Sequence, residues 1–206
     1  MIEETKFEKL FSTPLLRFKV ANHAALSRAL LAEGAMMQSE EDGVSKSNRL
    51  GWHSSGNLFD RNADPIVELR VAAEMAILAA TRRITTKVDP ETLKMKLFGW
   101  MNVNPQGGYN VPHTHPGAHW SGVYYVSQPE IDEGNSGMIE FLAPRTDLSH
   151  WAILKASAFS LKKRIRPAAG EIVVFPSYLL HWVYPNEADA DRVTIAFNAT
   201  FSKPKG

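Results

Sequence analysis

The sequence predicts a mainly β protein with flanking α-helices, and three observations carry that expectation. Beyond Pro90 the chain breaks into short β-branched and aromatic segments, "LKMKLFGWMNVN", "SGVYYV", "GMIEFLAP", "AFSLKKRI", "GEIVVFPS" and "RVTIAFNATFS", punctuated by Gly, Pro and Asn. No helical period intervenes between them, so residues 91–206 are expected to form an antiparallel sandwich or barrel. Two stretches of helical spacing lie before Pro90, placing strand and helices of residues 1–90 against that core. At 206 residues, a single domain spanning the whole chain is expected.

The elements follow in order. "STPLLRFKV" reads as a short strand. In "NHAALSRALLAEGA", Asn22 is placed to cap a helix with Ala25, Leu26, Ala29 and Leu30 on one face, and Gly34 is the expected stop. His23, in the first turn, has no ligand-forming neighbour in sequence and reads as a helix surface residue. Residues 39–62 are polar and aperiodic, an unusually long connection, and are expected to be mobile or to act as a lid, with Trp52 and His53 anchoring them. Asp64 then reads as the cap of a second helix, with Pro65 at its first position and Ile66, Leu69, Ala73, Ile77, Ala80 and Ile84 at helical spacing; "VDPE" ends it.

Composition excludes several classes of function. Lys plus Arg number 23 against 22 Asp plus Glu, so no long-range field favours nucleic acid or an anionic membrane, and any anion must be bound locally. The basic run "KKRIRP", residues 162–167, reads as a strand edge guarded by charge. The chain contains no cysteine, which removes disulfides, thiolate metal sites and cysteine nucleophiles, so any metal must be held by His, Asp or Glu. The start "MIEETKFEKLF" lacks the basic end and apolar core of a signal peptide, and no run approaches the ~20 apolar residues of a membrane span, which makes the cytoplasm the expected location.

Chemistry concentrates in "HTHPGAHWSGVYYV". On a strand, His113 and His115 would share a face and point together into a barrel mouth, with Thr114 turned away. His181, in "FPSYLLHWVYPN", is distant in sequence, and a sheet is the usual means of bringing such a residue to a shared metal. In "RVTIAFN", Arg192, Thr194, Ala196 and Asn198 share one face while Val193, Ile195 and Phe197 share the other. An inward guanidinium there needs an anion, and a carboxylate is its natural partner; the competing reading is a surface ion pair with Asp189 or Asp191.

Taken together, "NPQGGYNVPHTHPGAHWSGVYYV", "GMIEFLAPR", "GEIVVFPSYLLHWVYPN" and "RVTIAFN" resemble the Fe(II)/2-oxoglutarate-dependent oxygenases built on the double-stranded β-helix, or jelly-roll, and more narrowly a bacterial and phage branch of them, over residues 95 to 201. The resemblance implies that His113 and His181 are metal ligands, that Arg192 with Thr194 holds the distal carboxylate of 2-oxoglutarate, and that Asn104 stands where related enzymes have a co-substrate-binding tyrosine. One position departs from the pattern: His115 stands where the superfamily has a carboxylate, so a three-histidine centre forms, or His115 swings out and water takes the vacant position, or a residue such as Glu140 supplies the carboxylate. His119, Trp120, Tyr124 and Asn198 are candidates for substrate contact or support of the ligands, with Trp52 and Trp182 as further aromatics near the mouth; His150 reads as surface.

The expected activity is hydroxylation of a small molecule or peptide using O2, with Fe(II) and 2-oxoglutarate as cofactors. Two other classes compete. One is a cupin-type three-histidine metalloprotein holding iron, zinc or another divalent metal without 2-oxoglutarate, and the other is a non-catalytic jelly-roll binding module. An exposed jelly-roll edge is compatible with a homodimer.

Overall fold

The computed structural model describes residues 6, 11–131, 133–144, 156 and 160–204. Among these residues, eleven strands form two antiparallel sheets. They are β1 (Leu16–Lys19), β2 (Asn48–Arg49), β3 (Trp52–His53), β4 (Lys94–Asn104), β5 (Tyr109–His113), β6 (Trp120–Ser127), β7 (Ile139–Leu142), β8 (Lys162–Ile165), β9 (Glu171–Pro176), β10 (His181–Val183) and β11 (Arg192–Ser202). The six-stranded sheet runs β1-β9-β6-β11-β4-β3 and the five-stranded sheet β2-β5-β10-β7-β8. The mainly β expectation therefore holds.

The larger sheet carries two different faces because its strands alternate. On β11, Val193, Ile195, Phe197 and Ala199 join the core formed with the helices, together with Met101 and Val103 of β4 and Trp120 and Tyr124 of β6. Helix α1 (His23–Glu40) contributes Leu26, Leu30 and Met37 to this layer, and α2 (Asp64–Ile84) contributes Ile66, Leu69, Ala73 and Ile77. The opposite face meets the five-stranded sheet, where Tyr125, Val173 and Phe175 pack with Ile139, Phe141 and Val183. His113, His115, His181, Arg192 and Thr194 line a cavity between the sheets, on the face turned away from the helices.

Three expectations about elements need correction, and a fourth, the Asn22 cap, holds by a different route. Helix α1 does not stop at Gly34 but continues to Glu40; Gly34 is buried, and a Cβ there would come 2.6 Å from Met101 Sδ, so the glycine serves close helix–sheet packing. Ala25 and Ala29 are exposed, and the buried face runs through Leu26, Ser27, Leu30, Glu33, Gly34 and Met37. Asn22 enters α1 in the left-handed region at φ 52°, which Asn tolerates, and caps through its carbonyl, not its side chain. Asp64 is the first residue of α2, where its charge suits the helix N-terminus, while Ala63 occupies the cap position.

The 39–62 stretch is also not a structureless connection. Its first residues complete α1, β2 pairs with β5, β3 pairs with β4, and Leu58–Asp60 form a single 3-10 turn. It thus lends one short strand to each sheet. Two-residue strands carry no periodicity, which is why sequence alternation does not reveal them. Trp52 and His53 do fasten the segment: the Trp52 indole N–H donates to the Glu41 carbonyl, and His53 stacks on Trp100 at 5.7 Å. At the other end of the chain order, β8 lies at the edge of its sheet with Lys162, Lys163 and Arg164 exposed, as the guarded-edge reading of "KKRIRP" expects.

Candidate metal and co-substrate site

His113 ends β5 and His181 begins β10, and the two are direct cross-strand partners. His115 is not on the strand with His113 as expected, because β5 stops at His113. It converges nonetheless, held by its backbone N–H, which donates to the Ser177 carbonyl at 2.9 Å. The three imidazoles offer nitrogens that all lie within 4.8 Å of one another. Their ring centroids stand 4.4 Å apart for His113 and His181, 4.9 Å for His113 and His115, and 5.2 Å for His115 and His181.

Two of these rings are fixed in tautomer by backbone carbonyls two residues before them. His113 Nδ1 lies 2.7 Å from the Val111 carbonyl and His181 Nδ1 lies 2.8 Å from the Leu179 carbonyl. A carbonyl only accepts, so Nδ1 carries the proton in each and Nε2 presents its lone pair. Burial pushes the imidazoles below their ordinary range, His181 to about 3 and His115 to about 4, each also depressed by neighbouring histidines. His113 shifts down for the same desolvation. Protonation is disfavoured at neutral pH, and all three are available as neutral ligands. Such a donor set fits a borderline divalent ion such as Fe(II) or Zn2+.

Glu140 does not complete this cluster. It pairs across the sheet with Trp182, so its side chain alternates to the face opposite His181 and Phe141. There it is buried, accepts from the Trp182 indole at 3.1 Å and the Tyr184 hydroxyl at 3.0 Å, and meets Arg164 at 3.3 Å. A Glu140→Gln variant is therefore expected to bind divalent metal with the stoichiometry of the wild type, as measured by equilibrium dialysis, while losing thermal stability.

Deeper in the same cavity lie Arg192 and Thr194, both 2% exposed. Arg192 makes no ion pair with Asp189 or Asp191; its Nε donates to Gln128 Oε1 at 3.0 Å, and its guanidinium sits 5.3 Å from the centroid of the Tyr125 ring. Among the described residues no carboxylate neutralises it. Nearby, Asn102 Oδ1, both polar atoms of the Asn104 side chain and the Tyr125 hydroxyl are buried without a hydrogen-bond partner. A buried cation among unpartnered polar groups is costly unless an anion joins it, so the residues fit a bound carboxylate.

Several predicted neighbours lie elsewhere. Trp120 and Tyr124 face the helices, where they bond Thr81 Oγ1 and Ser27 Oγ at 3.0 Å each. His119 is exposed, and its Nδ1 accepts from the Phe201 backbone N–H. Asn198 does not line the cavity itself but accepts at 2.8 Å from the hydroxyl of Ser121, which does, and Trp182 packs tilted against Tyr184 outside it. Asn104 is buried on the same strand face as Asn102, yet only Asn102 lines the cavity. His150 falls outside the described residues. The residues that sequence reasoning missed are Trp100, whose ring lies 5.5 Å from His115, together with Asn102 and Tyr125. All three follow from strand alternation once the register is known.

Residues 99–198, most of this two-sheet core, match the family model described as "Putative 2OG-Fe(II) oxygenase". The chain resembles the 2OG-Fe(II) oxygenases. Its fold is shared with a prolyl-4-hydroxylase of Pseudomonas putida, at 16% identity and a TM-score of 0.65 over 95% of this chain and 96% of that one. It is shared too with HygX from Streptomyces hygroscopicus, solved with nickel, 2-oxoglutarate and hygromycin B bound (15% identity, 91% and 83% covered, TM-score 0.61). The α-ketoglutarate-dependent carbocyclase SnoK from nogalamycin biosynthesis superposes with a TM-score of 0.64 at 10% identity, covering 91% of this chain and 79% of its own. At these identities the likeness establishes the double-stranded β-helix fold. No curated protein matches the chain in sequence. Among the described residues, no helix is long and apolar enough to cross a membrane.

Proposed function

We propose that the protein is an Fe(II)- and 2-oxoglutarate-dependent oxygenase acting on a small molecule or peptide, with O2 as the second co-substrate. His113, His115 and His181 would hold the metal, and Arg192 with Thr194 would hold the distal carboxylate of 2-oxoglutarate. The observation that carries this reading is the conjunction in one cavity of three convergent neutral imidazoles and a buried guanidinium without a carboxylate.

When bound, Fe(II) and 2-oxoglutarate supply the O2-dependent oxidative decarboxylation that drives hydroxylation of a C–H bond. The protein's own residues bind, orient and shield. Three uncharged ligands leave the full charge of a divalent ion uncompensated, which favours a chelating dianion over a neutral ligand. Arg192 contributes a fixed positive charge at the closed end, where burial strengthens its attraction for a carboxylate. The hydroxyls of Thr194 and Tyr125 and the amide of Asn102 line the same space and are placed to hydrogen-bond the remaining oxygens. Burial raises the Tyr125 phenol to about 12, so it is a donor throughout the physiological range.

The deciding measurement is anaerobic titration of 2-oxoglutarate into Fe(II)-loaded protein. A saturable metal-to-ligand charge-transfer band is expected. Stoichiometric metal binding without that band would reject the reading and leave the cupin-type alternative; absence of metal binding would leave a binding module.

A further inference from the structure

Strands β4 and β11 are long, and their shared inner face runs well past the metal site. The register places Arg192 beside Asn104, Thr194 beside Asn102, Ala196 beside Trp100, Asn198 beside Phe98, Thr200 beside Lys96 and Ser202 beside Lys94. Burial falls steadily along this ladder. Asn104, Asn102, Arg192 and Thr194 are buried, Trp100 and Ala196 are half-buried, and Phe98, Lys96 and Lys94 are exposed. The strands opposite are short: β5 ends at His113, β10 spans Val183 back to His181, and the cavity lining on β11 stops at Ala196. What lies beyond is a shelf leading out from the imidazoles.

The shelf has a definite chemistry. Trp100 contacts the His115 ring, and Phe98 continues the aromatic surface at 6.2 Å from Trp100. Next come two lysines on the same face. From Trp100 outward no carboxylate occupies this face on β4 or β11, and among the described residues neither lysine forms an ion pair. The acids that precede β4 in sequence, Asp89 and Glu91, pair with Arg82. In a chain of formal net charge +1, this is a local concentration of uncompensated positive charge beside an apolar platform.

We infer that the substrate is an elongated anion, with an apolar or aromatic segment lying on Phe98 and Trp100 and a carboxylate or phosphate reaching Lys96 and Lys94. Four residues of strand separate Trp100 from Lys96, so the anionic group sits about 13 Å from the tryptophan at ~3.3 Å per residue. This inference rests on the oxygenase reading for the position of the reacting carbon. A competing account gives the lysines only the task of discouraging edge pairing by an incompletely covered strand.

The test uses the full chain loaded with Zn2+ and 2-oxoglutarate, so that failure to load reports on the oxygenase reading and not on the shelf. Three probes are titrated by NMR: 4-phenylbutyrate, 4-phenylbutyl phosphate and the uncharged 4-phenylbutanol. The anionic probes are expected to bind at least about fivefold tighter than the alcohol, with the preference shrinking as salt is raised. A Lys94→Gln/Lys96→Gln variant, changed only at exposed positions, should lose that preference, and Phe98→Ser should weaken all three probes alike. The tighter of the two anions identifies the head group. An alcohol that binds as well as the anions, no binding by any probe, or a double variant that keeps the preference overturns the inference.

Discussion

An Arg192→Met variant is expected to lose 2-oxoglutarate binding by at least ~30-fold, because truncating one partner of a buried charge pair costs about 2–5 kcal/mol. The side chain is 2% exposed, and its Nε donates to the neutral Gln128 amide. Methionine fills similar space without charge, so it removes the guanidinium together with its contact over the Tyr125 ring and its bond to Gln128 while keeping the volume. Metal binding should survive, since no imidazole bonds to Arg192. The measurement is the charge-transfer titration repeated on the variant, alongside metal stoichiometry. A variant that binds 2-oxoglutarate as tightly as the wild type would remove Arg192 from the site. A lysine at this position would restore charge but not the forked donor geometry, and only partial recovery is expected from it.

His181→Ala carries the second large effect. Replacing groups that merely orient a ligand typically costs 10–100-fold in metal affinity, so removal of a ligand itself should cost more than ~100-fold. The substitution has a structural cost as well. His181 is buried and its ring lies 4.8 Å from Phe175 and 6.0 Å from Phe141, so truncation opens a void between the sheets. His115→Ala separates the two effects, because His115 is only half-buried and stands beyond the end of its strand. Both variants should lose stoichiometric Fe(II) or Zn2+ in equilibrium dialysis, while His115→Ala keeps a thermal midpoint near that of the metal-free wild type. Retention of stoichiometric metal by both would end the three-histidine assignment.

Much of this site is legible in the sequence because its chemistry follows strand alternation. The face that carries Arg192 and Thr194 can be separated from Val193, Ile195 and Phe197 by counting in twos, and the structure keeps that division throughout β11. The aromatic run on β6 defeats the same count. "WSGVYYV" has aromatic residues on both faces, so hydrophobicity cannot say which one looks inward; Trp120 and Tyr124 turn to the helices and Tyr125 to the cavity. The regular β6–β11 register sets Tyr125 opposite Thr194, and the shift just beyond it puts Ser127 opposite Val193. Only the pairing of strands shows this.

Glycine misled in one place for a related reason. Gly34 looks like a helix terminator when only its own neighbours are considered, yet the decisive contact is with Met101, 67 positions away. Gly122 has a similar long-range reason, since a Cβ there would collide with the Phe197 ring. Glu140 illustrates the converse. Its residue type suits a metal site, but its place in the alternation of β7 sends it to the other side of the sheet.

The bonds from His113 and His181 to the carbonyls two residues before them have a wider consequence. Each ring is steered by the backbone of its own segment, not by a borrowed side chain. The pair is therefore self-contained: any sheet that keeps these two segments in register inherits the correct aim for both rings. Loops and flanking helices are then free to diversify around an unchanged centre.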